Sequence, residues 1–116
     1  MTDDLPINDP ANDPIAYAAA IIAKDIKKHY FLSQLAAKTG INILQLKTRF
    51  KERYSVGPFH YLTNLRLEYA MQQLITTNET VRYIALQCGY KRLTSFHKAF
   101  HRKYHHSPGY FRKKDQ

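Results

Sequence analysis

Apolar residues recur three and four positions apart along most of this chain, and no stretch alternates with period two. That spacing belongs to helices rather than strands. A first helix is expected from Pro14 to near His29, with Asp13 as its N-cap and Ile15, Ala18, Ala19, Ile22 and Ile26 as its stripe. Lys24, Lys27 and Lys28 load its polar face and last turn, where the helix dipole favours cations. Leu32–Thr39 reads as a second, short helix ended by Gly40, and Ile43–Tyr54 as a third, capped by Asn42. Pro58–Thr76 reads as one long rod of roughly 28 Å. Gly57 stands at its N-cap, and Phe59, Leu62, Leu65, Tyr69, Ala70, Leu74 and Ile75 lie on its expected inner face. Thr77 and Asn78 break the rod. Thr80 then caps a fifth helix, Val81–Cys88, ended by Gly89. A sixth runs from about Arg92 to Tyr104, and Ser107 and Pro108 open a short seventh.

The pattern repeats. Leu35, Ala36 and Gly40 recur 49 residues on as Ile84, Ala85 and Gly89; Leu46, Phe50, Tyr54, Pro58 and Tyr61 recur 50 residues on as Phe96, Phe100, Tyr104, Pro108 and Phe111. The one-residue step falls at the turn between Gly and the following helix, where an extra residue costs least. A short helix, a Gly-bearing turn and a longer helix make a helix-turn-helix, so the chain carries two such units, as an internal repeat should. The expected architecture is all-α, with about seven helices in two homeodomain-like three-helical units joined by a long central helix. The expected bounds are a flexible acidic lead or linker at 1–13 and a domain at 14–116. Within that domain the first unit takes 14–57, the linker helix 58–76 and the second unit 77–113. The core is expected to hold Ile22, Leu35, Ala36, Leu46, Phe50, Leu62, Leu65, Ile84, Ala85, Phe96 and Phe100. The closing RKKDQ is read as a frayed basic tail.

Charge changes the picture most. Eighteen Lys and Arg face nine Asp and Glu, for a net charge of +9. Residues 1–23 hold four Asp and no cation, so −4 lies there and +13 on the rest. A small body with that charge implies a polyanionic partner, nucleic acid above all. No run reaches the ~18 apolar residues of a membrane span, and a single cysteine gives neither an internal disulfide nor a metal quartet. A cytoplasmic setting is expected. Beyond residue 23 the acids are Asp25, Glu52, Glu68, Glu79 and Asp115, with no carboxylate pair at useful spacing, no Gly-rich phosphate loop and no nucleophile motif. An enzyme is not expected.

The candidate chemistry lies on two outward faces. With Leu46 and Phe50 turned in, Leu44, Gln45, Lys47, Thr48 and Lys51 are left outside. With Phe96, Ala99 and Phe100 turned in, Leu93, Thr94, His97, Lys98, His101 and Arg102 are left outside. A helix fits the major groove of B-DNA. There Thr meets a thymine methyl, Gln pairs with adenine and Lys with guanine. The opposing interpretation is an ordinary solvated helix face. Two repeated faces in a strongly basic body weigh against it. His97 and His101 have an i, i+4 spacing that also suits zinc, with His105 and His106 following. No Cys or acid stands near enough in sequence to complete a site, and neither a metal nor any cofactor is expected.

At these residues a resemblance becomes specific. Leu32–Arg112, about 80 residues, resembles the DNA-binding domain of AraC/XylS-type bacterial transcription regulators. It is carried by IALQCGY at Ile84–Tyr90, FHKAF at Phe96–Phe100, SPGYFR at Ser107–Arg112 and LRLEYAMQQL at Leu65–Leu74. The resemblance implies base contacts at Leu44, Gln45, Lys47 and Thr48, and at Leu93, Thr94, His97 and Lys98. It implies backbone contacts at Arg49, Lys51 and Arg102, with Arg92 adding charge near the DNA. The chain departs from the family pattern at Phe31, where a Ser cap is usual. Ser55 and His105 stand where Gly usually follows each recognition helix, and Lys91–Arg92 where Ser-Asp is frequent.

The expected partner is double-stranded DNA, read by two recognition helices in successive major grooves. The isolated domain is expected to be monomeric, any dimerisation of a longer protein coming from a domain not present here. The alternative is a protein-interaction module contacting RNA polymerase or another regulator, with Tyr61, Tyr69, Tyr83 and Tyr110 as its aromatic surface.

Overall fold

The computed structural model describes residues 13–113, and over that span it holds seven α-helices and no strand. They are α1 (Pro14–Lys24), α2 (Leu32–Thr39), α3 (Ile43–Tyr54), α4 (Pro58–Thr76), α5 (Val81–Gln87), α6 (Leu93–Tyr104) and α7 (Pro108–Lys113). Residues 1–12 of the expected lead, and the tail beyond Lys113, lie outside the described residues.

The starts follow from capping chemistry. The Asp13 carboxylate accepts from the Ile15 and Ala16 N–H groups, and Pro14 sits at the first helical position. Asn42 and Gln45 form a reciprocal capping box on α3. The Thr80 hydroxyl accepts from the Tyr83 N–H. Phe31 and Arg92 stand at the N-caps of α2 and α6 without a side-chain cap bond.

Three expectations need correction. Helix α1 stops at Lys24, not near His29. The buried Tyr30 hydroxyl donates to the Ile21 and Asp25 carbonyls, and the Ile26 and Lys28 carbonyls accept from Arg66 on α4. One carbonyl of the last turn, Ile21, and those of three residues beyond Lys24 thus find side-chain partners in place of a further helical turn. The inner face of α4 is Leu62, Leu67, Ala70 and Leu74, all buried, while Phe59, Tyr69 and Ile75 are exposed and Leu65 is half-buried. The rod serves one unit at its start and another beyond it, so it carries two short stripes instead of one. Arg112 is no frayed tail residue: its guanidinium donates to the Leu74, Glu79 and Thr77 carbonyls.

The described chain divides into two compact units. One runs to Asp25 and then from His29 to Leu62; the other takes Ile26–Lys28 and everything from Thr63 on. In the first, Ile15, Ala18, Ala19, Ile22, Tyr30, Leu35, Ala36, Leu46, Phe50 and Leu62 are buried. In the second, Leu67, Ala70, Leu74, Ile84, Ala85, Cys88, Phe96 and Phe100 form one cluster. Each fully buried Phe contributes on the order of 1.5–3 kcal/mol by leaving water.

The repeat has a physical counterpart in each unit. Phe50, Tyr54 and Tyr61 form a ring triad with centroids 4.8, 5.2 and 5.1 Å apart. Phe100, Tyr104 and Phe111 form its match at 4.8, 5.9 and 5.8 Å. Both turns carry a left-handed glycine, Gly40 at φ 78° and Gly89 at φ 99°. In both, the next residue's N–H returns to the same helix position, Ile41 to Ala36 and Tyr90 to Ala85. The second turn holds one residue more before its helix starts, which accounts for the step from 49 to 50.

Candidate nucleic-acid interface

Leu46 and Phe50 anchor α3, and Phe96 and Phe100 anchor α6, all at 0% exposure. An i, i+4 pair fixed inward leaves the opposite face to solvent. Superimposing the helices by their 50-residue offset pairs Leu44 with Thr94, Gln45 with Ser95, Lys47 with His97, Thr48 with Lys98, Lys51 with His101, and Glu52 with Arg102. All twelve are exposed. Each unit therefore presents a face of the same geometry with different chemistry.

The structure sorts the expected residues. Lys47, Thr48 and Lys51 share the outer face of α3, and Thr94, His97, Lys98 and Arg102 that of α6. Leu44 is 73% exposed, a large apolar side chain held in water in the first turn of α3. Gln45 is exposed, and its Oε1 accepts the Asn42 N–H at 3.2 Å, which leaves its amide N–H₂ and one oxygen lone pair for a ligand. Arg49 is exposed yet occupies the flank next to Phe50. Its match in the second unit is Ala99, half-buried against the core. Leu93 is not on the outer face. It packs against the second core, and its match is Ile43. Its extra residue of turn places it one step earlier than Leu44 in the helical register. Arg92 lies exposed at the N-cap of α6, beside exposed Lys91.

One face residue escaped the sequence expectation, Ser95, while His101 was expected outside. The repeat itself was the signal for Ser95, since it stands where Gln45 stands in the first unit. The outer face of α3 continues into an apolar concavity where Leu32, Leu44, Pro58 and Phe59 meet Lys47 and Lys51. On α6 the side chains of His97, Lys98, His101 and Arg102 line a shallow hollow. Among the described residues no three His, Cys, Asp or Glu side chains gather closely enough to hold a metal. No helix there is long and apolar enough to cross a membrane.

This arrangement can place polar and cationic groups along two helices of groove-fitting width, with little acid to oppose them. Glu52 is the one carboxylate on either face.

Comparison with known proteins agrees with this geometry. A family described as a helix-turn-helix domain matches residues 35–114. The raffinose operon transcriptional regulatory protein RafR of Pediococcus pentosaceus is 47% identical over 68 residues, covering 59% of this chain and 24% of its own length. The chain spans about a quarter of the length of such curated relatives. Among solved structures, the DNA-binding domain of the global transcriptional factor AdpA, in complex with a target DNA, superposes with a TM-score of 0.81 at 24% identity. That match covers 88% of this chain and 92% of that one. A transcriptional regulator from Chromobacterium violaceum, described as containing an AraC-type DNA-binding domain, gives 0.79 at 24% identity over 88% and 91%. At these identities the structural likeness is one of fold.

Proposed function

The chain belongs to the helix-turn-helix domain family of the AraC/XylS type, and from that premise we propose that it binds double-stranded DNA sequence-specifically, as part of a bacterial transcription regulator acting in the cytoplasm. The two recognition helices are α3 and α6, each entering a major groove, the two grooves successive on one face of the duplex. The observation that carries this reading is the set of matched, exposed face positions in the two units, each set opposite a buried Phe and backed by the same ring triad.

Lys47 and Thr48 read bases in one groove, and Thr94, His97 and Lys98 in the other. Leu44 offers contact to a thymine methyl, and Gln45 keeps an amide donor. Lys51, Arg92 and Arg102 hold phosphates, with Arg49 at the flank. Leu93 acts by packing the start of α6. The isolated chain works as a monomer with two reading heads and needs no two-fold symmetric operator.

Selection of bound sites from random DNA tests this. The expected product is a site with two preferred elements about one helical turn apart. No enriched sequence, or one element alone, contradicts it. A second reading has its own observation: Tyr83 and Leu86 on α5 are 48% and 49% exposed, an apolar surface suited to a protein contact with RNA polymerase. Such a contact is insensitive to salt, whereas DNA binding weakens steeply as salt rises.

A further inference from the structure

The hollows on α3 and α6 occupy the same place in the repeat. Lys47, Thr48, Lys51 and Glu52 line the first, and their matches His97, Lys98, His101 and Arg102 line the second. Beyond those positions the two part. The second is shallow and lined by polar side chains of α6. The first gains apolar walls, Leu44 from α3, Leu32 from α2, and Pro58 and Phe59 from α4, and holds roughly 660 Å³. It lies wholly within the first unit. Small-molecule sites run to about 300–1,000 Å³, with mostly apolar walls and a few placed polar groups.

The fold does not demand these walls. The repeat puts Thr94 where Leu44 stands and Gly109 where Phe59 stands, and the second unit builds its ring triad without them. Leu44 and Phe59 stay 73% and 46% exposed, so neither is spent on the first core. The DNA-binding reading gives Phe59 no role. Charge selects the occupant. Lys47 and Lys51 stand four residues apart on one face of α3, beside the apolar wall. Glu52 is the one carboxylate in the lining, and among the described residues no ion pair joins it to either lysine. Two cations against one acid favour an anion, and the wall favours an apolar body attached to it.

We propose that this concavity is a ligand site for an amphipathic monocarboxylate. Its apolar body lies against Leu32, Leu44, Pro58 and Phe59, and its carboxylate on Lys47 and Lys51. A ligand seated there covers side chains that α3 offers to a groove, so it and duplex DNA exclude each other. Each then weakens the other by the same factor. The exclusion rests on the DNA-binding reading above; the site itself does not.

The test titrates the chain with decanoate, decanol and decylammonium, one alkyl chain with three head groups, each below its micelle concentration. Calorimetry gives the affinities and amide NMR spectra give the place. Decanoate is expected to saturate one site, with shifts gathered at Leu32, Leu44, Lys47, Lys51 and Phe59. It is expected to bind about tenfold or more tighter than the other two, because only its head group is an anion. Lys47→Gln/Lys51→Gln is expected to abolish that preference. Phe59→Ala is expected to weaken decanoate about tenfold and to leave DNA affinity unchanged. Leu32→Ala, from the opposite end of the wall, repeats the comparison if the spectrum of Phe59→Ala is not that of a folded chain. Decanoate at about ten times its own Kd is expected to weaken DNA binding about tenfold, and to do so far less in Phe59→Ala.

No saturable binding, equal affinity for the three head groups, shifts centred elsewhere, or decanoate binding indifferent to the wall variants overturns the site. Saturable binding at these residues that leaves DNA affinity unchanged overturns the exclusion alone. Failure of the wild-type chain to bind DNA, with decanoate bound as expected, overturns the DNA-binding reading and leaves the site standing.

Discussion

Helices α3 and α6 end in the same uncommon way. Ser55 at φ 71° and His105 at φ 66° are left-handed C-caps without being glycine. Each N–H closes the last turn, Ser55 to the Lys51 carbonyl at 2.8 Å and His105 to the His101 carbonyl at 2.7 Å. A left-handed L-residue costs roughly 1–2 kcal/mol against its right-handed alternative. Glycine removes that cost but returns about 0.5–1 kcal/mol through its greater freedom in the unfolded chain. Ser55→Gly and His105→Gly should therefore each stabilise by about 0.5–1 kcal/mol. The sites share no partner and belong to different units, so the gains should add. For a chain near this size each is expected to raise the midpoint by roughly 2–8 °C. Urea and thermal unfolding followed by circular dichroism measure it. Ser55→Ala is the control, because it keeps a Cβ at the same φ and should gain nothing. Glycine variants no more stable than the alanine control would refute the claim that these caps carry backbone strain.

Arg112→Lys keeps the charge but not the fork that reaches three carbonyls, and it should cost about 2–4 kcal/mol in urea unfolding, since bonds to charged groups contribute ~1.5–3 kcal/mol each and this one is partly solvated. Cys88 is fully buried, and burial pushes its thiol up to about 12 against the opposing charge of Arg66, so iodoacetamide at about pH 8 should label it only at the rate of unfolding. Asp13→Ala should cost about 1 kcal/mol at neutral pH through the lost cap. The bond from the Ala16 N–H, and then Arg53, holds the Asp13 carboxyl below the ordinary carboxylate range. Its stabilisation is thus complete above that range and lost as pH falls through the folded value, so the gap between wild type and Asp13→Ala should close in acid unfolding.

The helices and both short-helix cores were legible because their signals are local. Capping residues, Pro at the first helical position and paired apolar spacing act within one or two turns, and Asn42, Thr80, Pro58 and Pro108 all stand where that chemistry placed them. The errors came from bonds that span the sequence. Nothing near Lys24 announces that Tyr30 and Arg66 will take the next carbonyls. Nothing in the tail announces that Arg112 reaches residues 33 to 38 positions back. The stripe of α4 was misread because one helix divides its burial between two cores, so its period does not accumulate.

On the candidate interface, the outward set was readable from the inward pair. Leu93 was misplaced because faces were assigned in each helix separately. Laid on each other, the repeats put Leu93 with Ile43 and Arg49 with Ala99, and they bring in Ser95.

The most direct test of base reading by α6 is a comparison of Lys98→Ala with Arg102→Ala across a panel of singly mutated sites. Lys98→Ala is expected to cost roughly 1–3 kcal/mol on the best site and to relax preference at one or two base pairs only. Arg102→Ala is expected to weaken every site about equally and to lower the salt slope by about 1. If the two variants behave alike across the panel, α6 does not read bases, and the assignment of its outer face is wrong even though the fold stands.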